Sequence, residues 1–171
     1  PTILSLQNGV DNEAMLATVL GADKVIAGTV GTAVSKAGVG EVREEKHRGI
    51  GVALGHPLSE ALVATLDRAG LSGRAFARAA DMKWSKLLTN LTGNATSAIL
   101  DRNVTELFSD KRTYALEVAV LAECLAVMRA PLFSSASIKT TARLMPLMMR
   151  LRAGNIDAIG SISMHDSVIS A

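Results

Sequence analysis

The sequence predicts an α/β part followed by an all-α part. Glycine and β-branched runs fill residues 1 to about 78, and from about residue 79 only helix-period patterns remain. The chain has 171 residues, 49% hydrophobic and 20% charged, which suits one ordinary globular domain or two small ones sharing a core.

In order, "TILSL" reads as the first strand and "DNEAMLATVLGADK" as a short helix, with Asp11 or Asn12 as its cap and Gly21 as its stop. "KVIAGTVGTAVS" reads as one strand, and "GEVREE" and "GIGVAL" as two more. Gly38, Gly40 and "EKHRG" at 45–49 punctuate them as turns. After His56-Pro57, "LSEALVATLDRAG" is an amphipathic helix with Leu58, Leu62 and Leu66 as its apolar stripe and Gly70 just past its end. "RAFAR" is a last short strand. Helices are then expected over 79–99, 110–129 and 137–152, with another after Ile156. The second of these is apolar through Leu116, Val120, Leu121, Cys124, Leu125 and Met128, and so belongs at the centre of its bundle. Pro131 marks a break and Pro146 a kink.

Several function classes are disfavoured. A net charge of +2 and 3% aromatics give neither the basic face nor the stacking platform of a nucleic-acid binder. The longest apolar run, "YALEVAVLAECLAVM", contains Glu117 and Glu123 and is too short to span a bilayer. A single cysteine, Cys124, offers no internal disulfide; with no leader-like opening segment, the expected setting is the cytoplasm. His47, His56 and His165 share no ligand spacing, so no metal site is expected. Lys139, Arg143, Arg150 and Arg152 read as a solvated helix face, and Met145, Met148 and Met149 as packing residues.

One stretch is at odds with simple helix stability. "KWSKLLTNLTGNATSAIL", residues 83 to 100, carries asparagine, glycine and threonine where alanine or glutamate would favour a helix more. On a wheel with Trp84 at zero, Leu87, Leu88, Leu91, Ala95, Ala98 and Ile99 fall within roughly 60° of it as a core face. Lys86, Asn90 and Asn94 fall together at about 200° to 280°, beside Gly93 and Ser97. This stripe is either a solvated face that happens to carry amides or the wall of a cleft. In a cleft the amides would bind a polar ligand and Lys86 would supply a charge or a proton.

"LQNGVDNEAML" at 6–16 followed by this helix resembles the ketopantoate reductase (2-dehydropantoate 2-reductase) family. The shared motifs are Gln7-Asn8-Gly9 after a strand, then Trp84, Lys86, Asn90 and Asn94 in W-x-K-x-x-x-N-x-x-x-N. "SISMHD" at 161–166 is similar to a third family segment through Ser163, Met164 and Asp166. The resemblance implies that residues 1–78 are the C-terminal part of a Rossmann-type dinucleotide-binding domain. It implies that 79–171 are a helical substrate-binding domain of the 6-phosphogluconate-dehydrogenase C-terminal-like type, incomplete at its C-terminus. It also implies an oxidoreductase that uses NADPH to reduce ketopantoate, a small 2-oxo acid, in pantothenate biosynthesis. Lys86 would be the general acid, Asn90, Asn94 and Ser163 would bind substrate, and Asn8 would contact the cofactor. Asn103 is one residue out of register with another substrate-contacting asparagine of the family and is set aside.

The family's glycine-rich pyrophosphate turn has no counterpart in this chain. Gly49-x-Gly51-x-x-x-Gly55 follows "EKHR" rather than a strand and sets apolar "VAL" where phosphate would lie, so it is read as β-strand glycine. The chain is therefore expected to be a fragment, inactive alone. Two alternatives stand beside the reading: a related reductase of another 2-oxo acid or imine, and a non-catalytic helical dimerisation or binding module. A homodimer is compatible with each.

Overall fold

The computed structural model describes residues 1–128, which fall in two compact units, one spanning 1–83 and the other starting at Trp84. The first unit contains β1 (Ile3–Ser5), α1 (Asn12–Leu20), a 3₁₀ turn (Ala22–Lys24), β2 (Val25–Val30), β3 (Ala33–Gly38), β4 (Glu41–Lys46), β5 (Ile50–Ala53), α2 (Ser59–Arg68) and β6 (Gly73–Phe76). Four strands form one sheet in the order β1-β2-β5-β6. β1 pairs parallel with β2, with Ile3 opposite Val25, and β5 parallel with β6, with Ile50 opposite Gly73. Each parallel pair needs a crossover, which α1 and α2 supply. β2 and β5 run antiparallel, so the β3–β4 hairpin can return the chain directly.

The run "KVIAGTVGTAVS" is thus two strands, not one. Thr32 Oγ1 accepts the N–H groups of Arg48 (3.2 Å) and Gly49 (3.0 Å), and the Gly31 N–H donates to Gly49 O at 2.8 Å. With its ladder taken up by that loop, the chain leaves the sheet at Thr32 and begins a separate hairpin. The base of the hairpin, just past β4, is tied down by His47, whose ring bonds Glu44 Oε2 at 3.1 Å and Ser72 Oγ at 2.8 Å.

Gly51 lies inside β5, as expected of a strand glycine. A Cβ there would come within 2.6 Å of the Phe76 ring, so tight packing rather than a phosphate selects it. Ile26, Ala27, Val52, Ala53, Phe76 and Met82 make this unit's core. Each large side chain among them contributes about 1.5–3 kcal/mol by leaving water. In α2, Leu58 is the exposed N-cap rather than part of the buried stripe. Ser59 takes the interior place, its hydroxyl donating to Ala53 O at 2.8 Å. The helix ends as its sequence predicts, with Gly70 at φ +76° and paired bonds from Leu71 N–H to Leu66 O and from Gly70 N–H to Asp67 O.

Helix α3 (Ala79–Leu91) leads into the second unit, which continues with α4 (Asn94–Leu100), α5 (Val104–Ser109) and α6 (Lys111–Met128). Leu88, Leu107, Phe108, Leu121, Leu125 and Met128 form its core, with Trp84, Val104, Tyr114 and Cys124 packed against it. No helix of the described residues is long and apolar enough to cross a membrane. Burial pushes the Cys124 thiol up, away from nucleophilic chemistry.

Two features depart from the sequence expectation. α5 is an additional helix, built on a capping box in which Asn103 Oδ1 accepts the Glu106 N–H and Glu106 Oε2 accepts the Asn103 N–H, both at 3.0 Å. This capping role accounts for Asn103. In α6 Leu121, Leu125 and Met128 are buried as expected, but at its start Leu116 is exposed and Glu117 takes the interior place. The helices expected at 137–152 and after Ile156, with Pro131, Pro146, the cationic and methionine groups between 139 and 152, and the 161–166 segment, lie outside the described residues.

Asp110 caps α6, its Oδ1 accepting the Arg112 N–H at 2.8 Å, and this bond, with the nearby Arg112 and Arg102 charges, holds its carboxyl below the ordinary value of 3.8. Because the folded value is the lower one, the stabilisation is complete above the unfolded value and fades as pH falls through the folded one. Asp110→Asn keeps the cap but does not titrate. In urea unfolding from pH 6 to pH 2, the stability gap between parent and variant is expected to close only below about pH 4.

Candidate active site

Lys86 and Asn90 stand one turn apart on α3, at i and i+4, and both are half-buried. Leu88, fully buried, anchors the helix from nearly the opposite side. The threonines of this stretch are bonded to the helix itself: Thr89 Oγ1 donates to Lys86 O at 2.7 Å and Thr92 Oγ1 to Leu88 O at 3.5 Å. Such back-bonding satisfies the hydroxyls but slightly weakens and bends a helix, so it does not account for threonine here on stability grounds.

The sequence expectation of one continuous helix over 79–99 fails at Gly93. That residue is buried and has φ +77°, a left-handed conformation that an α-helix cannot contain. Its N–H donates to Glu117 Oε2 at 2.8 Å, and Glu117 is only 1% exposed. A Cβ at Gly93 would be 3.5 Å from Val104, an ordinary contact, so backbone conformation rather than space requires glycine there. α4 restarts at Asn94, which is exposed and no longer shares the helix of Lys86 and Asn90. The wheel beyond residue 92 fails with it: Ala95 and Ala98 are exposed, and Ile99 is 80% exposed rather than in the core.

Asn8 lies in the first unit, in the turn between β1 and α1. Its carbonyl accepts Asn12 Nδ2 at 2.6 Å, and Gly9 follows with φ +102°. The carbonyl of Gln7 accepts the Lys83 ammonium at 2.9 Å. Lys83 is 4% exposed, and its nitrogen is also 2.7 Å from Glu13 Oε1, a charge contact rather than an aligned hydrogen bond. Sequence reasoning missed Lys83, Glu13 and Glu117. Lys83 stands three residues before Lys86 in the quoted motif, but nothing local marks its partner 76 residues away.

Ser163 lies outside the described residues. A cleft of 710 Å³ opens in the first unit beside Glu13, Asp23, Ile26, Ala53 and His56, but Asn8 does not line it. Among the described residues no group of three histidine, cysteine or carboxylate side chains could hold a metal ion.

An α/β unit followed by helices, with a lysine and an asparagine one turn apart on the first of those helices, defines a two-part chain of the α/β-plus-helical class. The model of the family "Ketopantoate reductase PanE/ApbA C terminal" matches residues 78–169, more than half of the chain, and the chain belongs to this family. No curated protein matches it. The crystal structure of a PanE/ApbA family ketopantoate reductase from Ralstonia eutropha JMP134 is 28% identical, with a TM-score of 0.69, covering 94% of this chain and 58% of that one. A 2-dehydropantoate 2-reductase from Geobacter metallireducens GS-15 is 24% identical, with a TM-score of 0.70 and coverages of 92% and 55%. D-mandelate dehydrogenase in complex with NADH shares the fold at 18% identity and a TM-score of 0.68, with coverages of 96% and 54%. The chain therefore spans little more than half the length of these proteins.

The bond between Gly93 and Glu117 predicts two distinct losses of stability. Glu117→Leu leaves the Gly93 N–H unsatisfied in the core, at a cost of about 1–3 kcal/mol, whereas Glu117→Gln keeps an acceptor and costs less. Gly93→Ala costs about 1–3 kcal/mol through its φ alone. Urea unfolding of the three variants checks the order.

Proposed function

We propose that the full protein reduces a small 2-oxo acid with NADPH, and that its reaction is ketopantoate to pantoate in cytoplasmic pantothenate biosynthesis. The observation that carries this reading is the motif lysine on α3, half-buried and one helical turn from Asn90, in a chain of the ketopantoate reductase family. In this reading residues 1–78 end the nucleotide-binding domain and 79–171 bind the substrate.

The nicotinamide, when bound, supplies hydride to the ketone carbon. Asn8 fits the ribose end of such a cofactor, since it sits just past the carboxyl end of parallel strand β1, where open α/β sheets bind their ligands. The described residues provide no glycine turn for its pyrophosphate. Lys86 donates the proton that turns the developing alkoxide into a hydroxyl group. Asn90 on α3 and Asn94 at the start of α4 hydrogen-bond the substrate's oxygens, and Ser163 binds its carboxylate side. Two amides on helices set by one turn hold the ketone at a fixed angle to the lysine, which is the geometric part of the rate gain.

The test is NADPH oxidation by the full-length protein with ketopantoate, with the 2-oxo acid of mandelate and with cyclic imines. Turnover on ketopantoate, with Lys86→Met lowering kcat by about 10²–10⁴, is expected. Turnover only on another oxo acid or imine rejects the substrate and keeps the reductase. An active enzyme indifferent to Lys86→Met rejects the acid.

A further inference from the structure

We propose that Lys83, rather than serving chemistry, is the positioning residue that sets the direction of the Asn8 side chain; the inference deepens the reading of Asn8 as a cofactor contact and rests on it. A peptide unit is planar, so holding its oxygen also fixes the orientation of its N–H. The unit ahead of Asn8 joins the Gln7 carbonyl to the Asn8 N–H, and the Lys83 ammonium holds that carbonyl at 2.9 Å. The unit after Asn8 joins the Asn8 carbonyl to the Gly9 N–H, and Asn12 Nδ2 holds it at 2.6 Å. With both flanking planes held by their oxygens, the φ and ψ of Asn8 are fixed, and with them the Cα–Cβ direction.

The two clamps differ in origin. Asn12 is local, four residues on at the start of α1. Lys83 comes from α3, and it is the long-range member of the pair. Lys83 is buried, and two oxygens within 3 Å of its nitrogen, Gln7 O and Glu13 Oε1, offset the cost of removing its charge from water. The charge makes the bond to Gln7 O stronger than a neutral donor would. It also makes Glu13 part of the device, since without the lysine that carboxylate would face the turn unneutralised.

Lys83→Met, Lys83→Arg and Glu13→Gln separate positioning from chemistry in the full-length protein. The backbone chemical shifts and 15N order parameters of Gln7, Asn8 and Gly9, read by NMR, report on the turn alone. Lys83→Met is expected to move those shifts, to lower those order parameters and to raise the NADPH dissociation constant and KM about tenfold. Its kcat at saturation should stay within about threefold, and Lys83→Arg should recover most of the loss. Unchanged shifts and order parameters in Lys83→Met overturn the proposal, whatever the enzyme does. So does a collapse of kcat at unchanged KM, which would make Lys83 a participant in the reaction. If the parent protein turns over no oxo acid or imine and binds no nicotinamide nucleotide, the reductase reading falls, and with it the role assigned to Asn8, while the shifts and order parameters still show whether Lys83 holds the turn.

Discussion

Glu117 Oε2 accepts the Gly93 N–H inside the core of the helical unit, and this bond decides where α3 stops and where α4 begins. A carboxyl group in that place is costly to desolvate, and one hydrogen bond to it returns about 1.5–3 kcal/mol. Leucine would be the cheaper occupant for packing, yet it would leave the backbone of the break unpaired. The break in turn determines what packs beside it. Val104 and Phe108 approach Gly93 at 3.5 and 3.8 Å from where a side chain would begin. Phe108 then meets Tyr114 edge to face, with ring centroids 6.2 Å apart.

The first unit uses the same device with the opposite charge. Its Gln7-Asn8-Gly9 turn has a backbone oxygen held by a buried ammonium, as the Gly93 turn has a backbone N–H held by a buried carboxylate. In each case a glycine with positive φ gives the chain its bend, and an ionisable side chain from a remote part of the sequence keeps it. Two of the three motif asparagines sit directly at these bends: Asn8 precedes Gly9, and Asn94 follows Gly93. Loops are normally the more mobile parts of a protein.

The legible parts of the sequence were those with local causes. Gly70 ended α2 where its position predicted, because a glycine one residue past a helix needs only its own φ and two nearby carbonyls. β5 kept its glycine as a strand residue because "VAL" could only be interior. Two of the misreadings had remote causes. The long run from Lys24 split because the hydroxyl of Thr32 bonded a loop sixteen residues away. The helix through Gly93 broke because Glu117 lay opposite it, and a helical wheel contains no term for that partner. Helix α5 was different: "NVTE" carries its capping box within four residues, with Asn103 as the cap. Of the proposed site, the placement of Lys86 and Asn90 one turn apart on a single helix was legible; the separation of Asn94 from that helix was not.

Burial separates the two lysines that stand three residues apart on α3. Lys83 is 4% exposed and lies within 3 Å of two oxygens, so its charge is committed to holding the turn. A general acid has a different requirement. It must meet the substrate's oxygen in each cycle and regain its proton from solvent before the next, so it cannot be sealed in. Lys86, a half-buried residue three positions further along α3, meets that condition. Three residues turn a helix by about 300°, so the two side chains leave α3 roughly 60° apart. That is enough for one to enter the packed interior while its neighbour stays within reach of solvent. The helix thus encloses one lysine and leaves the other half-buried, the arrangement that the acid role proposed for Lys86 requires.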